Sequence, residues 1–185
     1  MRKSREEAAQ TRKRIVTAAS GEFRKNGIVA TGLNDLMSAA GLTHGGFYKH
    51  FESKDQLVAE ACAEAVKTAI LERLAAAASK GPGAAAAYLS IDHRDNPATG
   101  CPLSAIGSEL ARSDAKTRAA ATAGFLKLVE IMAGQFGKTP PASARRRALV
   151  AVSTMIGALT MSRIVTDPEL SAEILKEAEM NLAVG

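Results

Sequence analysis

Residues 31–57 constrain this chain more than any other stretch. Leu33, Leu36, Met37 and Ala40 share one face of a short helical segment that Gly41 closes. Thr43 can cap a second short segment over 44–50, which turns Phe47 and Phe51 inward at i, i+4 spacing. Ser53-Lys54-Asp55-Gln56 then reads as a capping box. It opens a long helix over 53–78 whose apolar side carries Leu57, Val58, Ala61, Ala65, Ile70, Leu71 and Leu74. Two short helices joined at Ala40-Gly41-Leu42-Thr43 have the layout of a helix-turn-helix, whose second helix lies in the DNA major groove. The same pattern also fits a helical hairpin that happens to be basic.

Charge bears on that choice. Residues 1–54 hold ten Lys/Arg and five Asp/Glu, whereas 55–185 hold fourteen of each, so the whole net charge of +5 sits in the first third. A basic small region joined to a neutral larger one suits a nucleic-acid-binding head on a body with another job. A solvated N-terminal arm would give the same arithmetic.

The rest of the chain is helical by pattern. Ala supplies 37 of 185 residues and aromatics only 4%, which favours helices over sheets. A first helix carries Ala8, Thr11, Ile15, Ala18, Ala19 and Phe23 and ends at Lys25-Asn26-Gly27. The stretch 79–83 is the clearest breaker. Helices are expected over 84–91, from Cys101-Pro102 to about 112, from Ser113-Asp114 to near Gly137, over 143–164, and from Asp167-Pro168 onward, with a polar loop at 92–100. The expectation is an all-α fold of about nine helices without a strand: a head over 1–52 and a body over 53–185. No apolar stretch looks long enough to cross a bilayer, no secretion signal is evident, and the protein is expected to be cytoplasmic with no membrane partner. Cys62 and Cys101 lack metal-ligand spacing, and neither a metal nor a cofactor is implied.

The run from Gly41 to Leu57, Gly-Leu-Thr-His-Gly-Gly-Phe-Tyr-Lys-His-Phe-Glu-Ser-Lys-Asp-Gln-Leu, resembles the signature of TetR/AcrR-type transcriptional repressors. Asn26-Gly27 and the segment 33–37 fall where that family ends its first helix and places its second. The resemblance covers roughly residues 10–60. It implies a homodimer whose heads bind a palindromic double-stranded DNA operator and whose bodies hold a small-molecule inducer. Carried over by position, Thr43, Tyr48 and His50 are operator contacts and Lys54 a phosphate contact, with Thr31 as a second-helix cap near the backbone. His44, Gly45, Gly46 and Lys49 stand in the same DNA-facing segment, and their polar members can reach phosphate or base edges. Gly45 and Gly46 depart from good helix chemistry at about 1 kcal/mol each relative to Ala, so the segment is expected to firm up on DNA.

The body offers no catalytic constellation. Asp92, His93, Arg94 and Asp95 read as a solvated loop. Cys101 precedes Pro102 at a helix start, where free N–H groups would lower a thiol pKa. Two readings stay open for it: a redox or electrophile sensor, as in the TetR/AcrR subgroup that Gly100-Cys101-Pro102-Leu103 resembles, or a small capping residue at a pocket wall. Cys62 reads as inert packing. Pocket candidates are Leu103, Phe125, Leu128, Met132 and Met155, with Tyr88, Ser104 and Ser108 as polar anchors. Leu149, Val152, Ile156, Leu159 and Ile164, with Leu170, Ile174, Ala178 and Leu182, form stripes that suit a dimeric four-helix interface or burial within one chain. A small helical enzyme or ligand carrier with only non-specific DNA affinity is the rival reading.

Overall fold

A computed structural model describes residues 5–71, 77, 83–137 and 140–184. Among them are ten α-helices and no strand. Helix α1 (Arg5–Asn26) carries Glu6 and Glu7 in its first turn and Arg24 and Lys25 in its last, matching the helix dipole. It stops at Gly27, where φ is 89° and the N–H still reaches the Phe23 carbonyl at 2.8 Å.

Helix α2 (Leu33–Ala39) ends in a Schellman turn. Gly41 adopts φ 67°, and the Leu42 N–H bonds the Met37 carbonyl at 2.8 Å. A 3₁₀ segment (His44–Lys49) follows instead of the α-helix expected there. Its two glycines and the missing side-chain bond from Thr43 leave little to hold a wider turn. Helix α3 (Lys54–Ala65) begins as its capping chemistry demands: Ser53 Oγ accepts the Gln56 N–H at 3.1 Å. It passes into a π turn (Val66–Leu71) where a later helix, α8 (Ala115–Gly134), crosses. A Cβ on Gly124 of α8 would lie 2.5 Å from Val66, so only glycine permits that approach. Leu74 and the breaker at 79–82 lie outside the described residues.

The body continues with α4 (Ala84–Tyr88), α5 (Ile91–Asp95), a 3₁₀ turn (Pro97–Thr99), α6 (Pro102–Ala105) and α7 (Gly107–Ala111). Helices α8 (Ala115–Gly134), α9 (Pro141–Ile164) and α10 (Pro168–Val184) complete it. The stretch 92–100 is thus largely helical turns. His93 within it is buried, not solvated, because its ring packs edge-on against Tyr88 with centroids 4.7 Å apart.

Two cores hold these elements. The first joins Ile15, Phe23, Leu36, Phe47, Leu57 and Val58 to Ile106 and Leu110, so α3 serves head and body alike. The second gathers Tyr88, Leu128, Val152, Met155, Leu159 and Leu175. Contrary to the sequence reading, α9 is long and apolar enough by length and composition to cross a bilayer. Ala148, Ala151, Val152, Met155 and Leu159 bury one of its faces in the second core, as a core helix does.

Candidate nucleic-acid interface and its coupling to the body

Phe47 orients the 3₁₀ segment. It is fully buried against Tyr48 and Phe51, with ring centroids at 5.1 and 5.5 Å. Anchoring that one ring leaves Thr43, His44, Gly45, Tyr48 and Lys49 exposed in a row, with Gly46 and His50 half-buried beside them. Tyr48 is 67% exposed, unusual for an aromatic that had a core to join. The row offers hydroxyl, imidazole, phenol and ammonium groups, which can address phosphate oxygens and base edges.

Arginines of α1 fix the segment from behind. Arg12 forms a bidentate ion pair with Glu60, the Nη2–Oε1 contact being 2.6 Å, and its Nε donates to the His50 carbonyl at 3.2 Å. The same guanidinium lies 4.5 Å over the Phe51 ring. Arg14 donates to the Ala40 carbonyl at 2.7 Å, closing the turn between the two helices. Part of the basic excess of the head therefore builds the motif.

Two expected contacts are placed differently. Thr31 is buried, and its hydroxyl donates to the Gly27 carbonyl at 2.6 Å. Gly32 occupies the cap of α2 instead, its N–H held by Asp35 Oδ2 at 3.1 Å. Lys54 is half-buried and donates to the Ile28 carbonyl at 2.6 Å.

That carbonyl belongs to a turn the body also grips. Glu109 of α7 accepts the Ile28 N–H through Oε2 and the Val29 N–H through Oε1, both at 2.9 Å. Arg24 of α1, 92% buried by exclusion of all but 8% of its surface, donates to the Gly100 carbonyl at 2.7 Å. Burial lowers its pKa to about 10, yet it remains a cation at neutral pH.

Comparison with known proteins now fixes the family. Residues 15–61 match "Bacterial regulatory proteins, tetR family", and 84–175 match "Transcriptional regulator LmrA/YxaF-like, C-terminal domain". The HTH-type transcriptional regulator MT0206 of Mycobacterium tuberculosis is 30% identical over 175 residues, covering 84% of this chain and 86% of that protein. The chain belongs to the TetR family. TtgR of Pseudomonas putida, an HTH-type transcriptional regulator, is 43% identical over 58 residues, but that match spans only 31% of this chain and 28% of TtgR. The crystal structure of a TetR transcriptional regulator from Chloroflexus aurantiacus superposes with a TM-score of 0.76 at 28% identity, covering 97% of this chain and 95% of the other.

In this TetR-family body the expected pocket residues separate into groups. Leu103 and Phe125 border an open groove of about 350 Å³ between α6–α7 and α8. Met132 borders a second cavity, of about 490 Å³, beside Phe136 and Arg147. Tyr88, Cys101, Leu128 and Met155 are packed into the second core, while Ser108 is exposed on α7. Ser104 is buried and accepts from Arg163 at 3.2 Å.

Cys101 occupies the cap position of α6 as expected, but its thiol pKa is raised, not lowered. Complete burial outweighs the nearby Tyr88 hydroxyl and the backbone N–H groups of Leu103 and Ser104, the Cys101 side chain makes no capping hydrogen bond, and α6 is only four residues long. The backbone at Cys101 is held by His93, whose Nε2 accepts its N–H at 2.8 Å. That acceptance places the ring proton on Nδ1, which donates to the Tyr88 carbonyl at 2.7 Å. Gly100 is required here, since a Cβ would stand 2.6 Å from the His93 ring. Cys62 is buried as well, its thiol pushed up to about 11 by burial.

The interface stripe also needs correction. Val152 and Leu159 are fully buried inside the protomer and cannot meet a partner. The exposed apolar positions of α9 are Val150, Met161 and Ile164, joined by Leu170 and Met180 of α10. Leu149, Ile156, Ile174 and Ala178 are half-buried between the two faces. Periodicity found the apolar residues of α9 but could not say which of two apolar faces turned inward.

Proposed function

We propose that this chain is a DNA-binding transcriptional repressor that acts in the cytoplasm as a homodimer and releases a palindromic operator when a small-molecule inducer binds the body. The observation that carries this reading is the exposed row Thr43, His44, Tyr48 and Lys49 on a segment anchored by buried Phe47. Gly45, Gly46 and His50 border that row, and Lys54 would exchange the Ile28 carbonyl for a phosphate. Residues 1–52 form the operator-binding head and 53–185 the sensing and dimerising body. Membership of a family of transcriptional regulators favours this over a helical enzyme.

Dimerisation is assigned to the outer faces of α9 and α10, where the exposed stripe would be buried between two copies. For the inducer, the groove beside Leu103 and Phe125 supports binding by an apolar compound. A thiol switch at Cys101 is less well supported, because a buried neutral thiol is a poor nucleophile.

The test is selection of bound sequences from random DNA, followed by a mobility shift at fixed salt with excess competitor. A discrete palindromic site that survives competitor supports the reading. Binding to every sequence alike, lost steeply with salt, would leave only an unspecific basic head.

A further inference from the structure

The α1–α2 turn is gripped from two sides. Glu109 of the body takes the N–H groups of Ile28 and Val29, one on each carboxylate oxygen, at 2.9 Å. Lys54 takes the carbonyl of Ile28 at 2.6 Å from the other side. Gly27 makes the grip possible twice over. Its φ of 89° presents the next two N–H groups in one direction, and its missing side chain leaves the carboxylate room, since a Cβ would stand 3.1 Å from Oε2.

These contacts join segments some eighty positions apart in the chain. Beyond the turn lie Thr31, Gly32 and α2, which packs directly on the segment His44–Lys49. On the other side, α7 carries Glu109 between Gly107, Leu110 and Ala111, and those three border the 350 Å³ groove. A carboxylate that accepts two backbone N–H bonds is held in both distance and direction, as a single bond or an apolar contact would not be.

We propose that Glu109 is a positioning residue for operator binding: it sets the angle of the DNA-binding head on the body, and through it the half-site spacing the dimer accepts. In a two-fold dimer the separation of the two recognition segments is fixed only if each head is fixed to its own body. The Arg24 bond to Gly100 on α1 and the shared core, which spans α1, α2 and α3, resist separation of head from body, and Glu109 adds two directional bonds to the turn itself.

The inference rests on the operator reading, and its test uses the full-length protein with an operator selected from random DNA. One base pair is then inserted or deleted between the half-sites, a rotation of roughly 35° about the duplex axis. The wild-type protein is expected to lose about tenfold or more in affinity for either altered spacing. Glu109→Gln is nearly isosteric but turns an NH₂ toward one of the two N–H groups. It is expected to reduce that discrimination to about twofold while keeping its melting temperature. Glu109→Ala should behave likewise, and in both variants the Ile28 and Val29 amides should exchange faster in the free protein.

Equal spacing discrimination in wild type and Glu109→Gln overturns the latch while the operator reading stands. Unchanged exchange at Ile28 and Val29 overturns it independently. If the wild-type protein selects no DNA, the operator reading falls, and the latch falls with it.

Discussion

The head and the body differ in how their working residues are brought together. In the head, the exposed row, its buried anchor and its turn all lie within residues 41–51, so neighbours in sequence become neighbours in space. In the body, Tyr88, His93, Cys101, Ser104 and Arg163 meet from four elements, and Arg163 reaches the His93 carbonyl across seventy positions at 2.5 Å. A local device survives translation from sequence to structure almost intact. A device built from long-range contacts does not, because each partner is chosen by packing rather than by spacing.

The comparison is broken most forcibly by emptying each core. Phe47→Ala and Leu159→Ala remove side chains that are fully buried, and each is expected to cost on the order of 2–5 kcal/mol. Phe47→Ala should abolish operator binding while thermal unfolding still shows a cooperative body. Leu159→Ala should lower the stability of the whole protomer. Met161→Glu, by contrast, alters an exposed side chain of the same helix and should change protomer stability by under about 0.5 kcal/mol while shifting the dimer to monomer. Sedimentation and chemical denaturation on the three variants settle which face of α9 is which. A Met161→Glu protein that stays dimeric would move the interface elsewhere.

The faces of α9 show where sequence reading runs out. The long helices follow from periodicity, Gly27 and Gly41 end helices where expected, and Ser53 caps α3, whereas the short helical turns over 92–100 read as a loop. Yet α9 is apolar on two sides, and nothing in its own spacing distinguishes Leu159 in the core from Met161 outside. The roles of Arg12, Arg14, Arg24 and Glu109 are illegible in the sequence for a related reason. Their partners are backbone groups and a carboxylate 26 to 81 positions away, which no local pattern announces. His93 reads as solvated because its neighbours Asp92, Arg94 and Asp95 are charged, while its ring packs edge-on against Tyr88.

Within the head, two exposed side chains should fail in different ways. Tyr48→Ala removes a group poised for base or sugar contact and is expected to cost about 1–3 kcal/mol on the selected operator, with relaxed preference at one position. Lys49→Ala should weaken binding evenly across sequences and reduce the slope of log affinity against log salt by about one. Titrations at several salt concentrations separate the two. Identical behaviour would mean that Tyr48 meets only phosphate.

In the body, the cysteines should act through burial. Unfolded thiols ionise near pH 8.5, whereas Cys62 in the folded protein is held up to about 11 and Cys101 is also raised. Their contribution to stability is therefore complete below about pH 8.5 and is lost as pH rises toward 11. Denaturation midpoints should fall more steeply over that window in the wild-type protein than in Cys62→Ala. At pH 7 the native protein should resist iodoacetamide, and rapid alkylation of Cys101 would restore the thiol switch.

The smallest effect expected is the most diagnostic of how the head works. Gly46 has an ordinary φ, and a Cβ there would rest 3.4 Å from the flexible end of Met37, an ordinary contact. Gly46→Ala should therefore stabilise the recognition segment by up to about 1 kcal/mol through lost freedom in the unfolded chain. If the 3₁₀ segment tightens into a regular turn only on DNA, the substitution prepays part of that ordering, and operator affinity should rise by severalfold at most. Slower amide exchange over residues 46–50 with tighter binding would tie the two glycines to adaptability at the DNA surface. Slower exchange with weaker binding would mean that the methyl group meets the duplex, and that glycine stands at 46 because backbone and DNA come too close for anything larger.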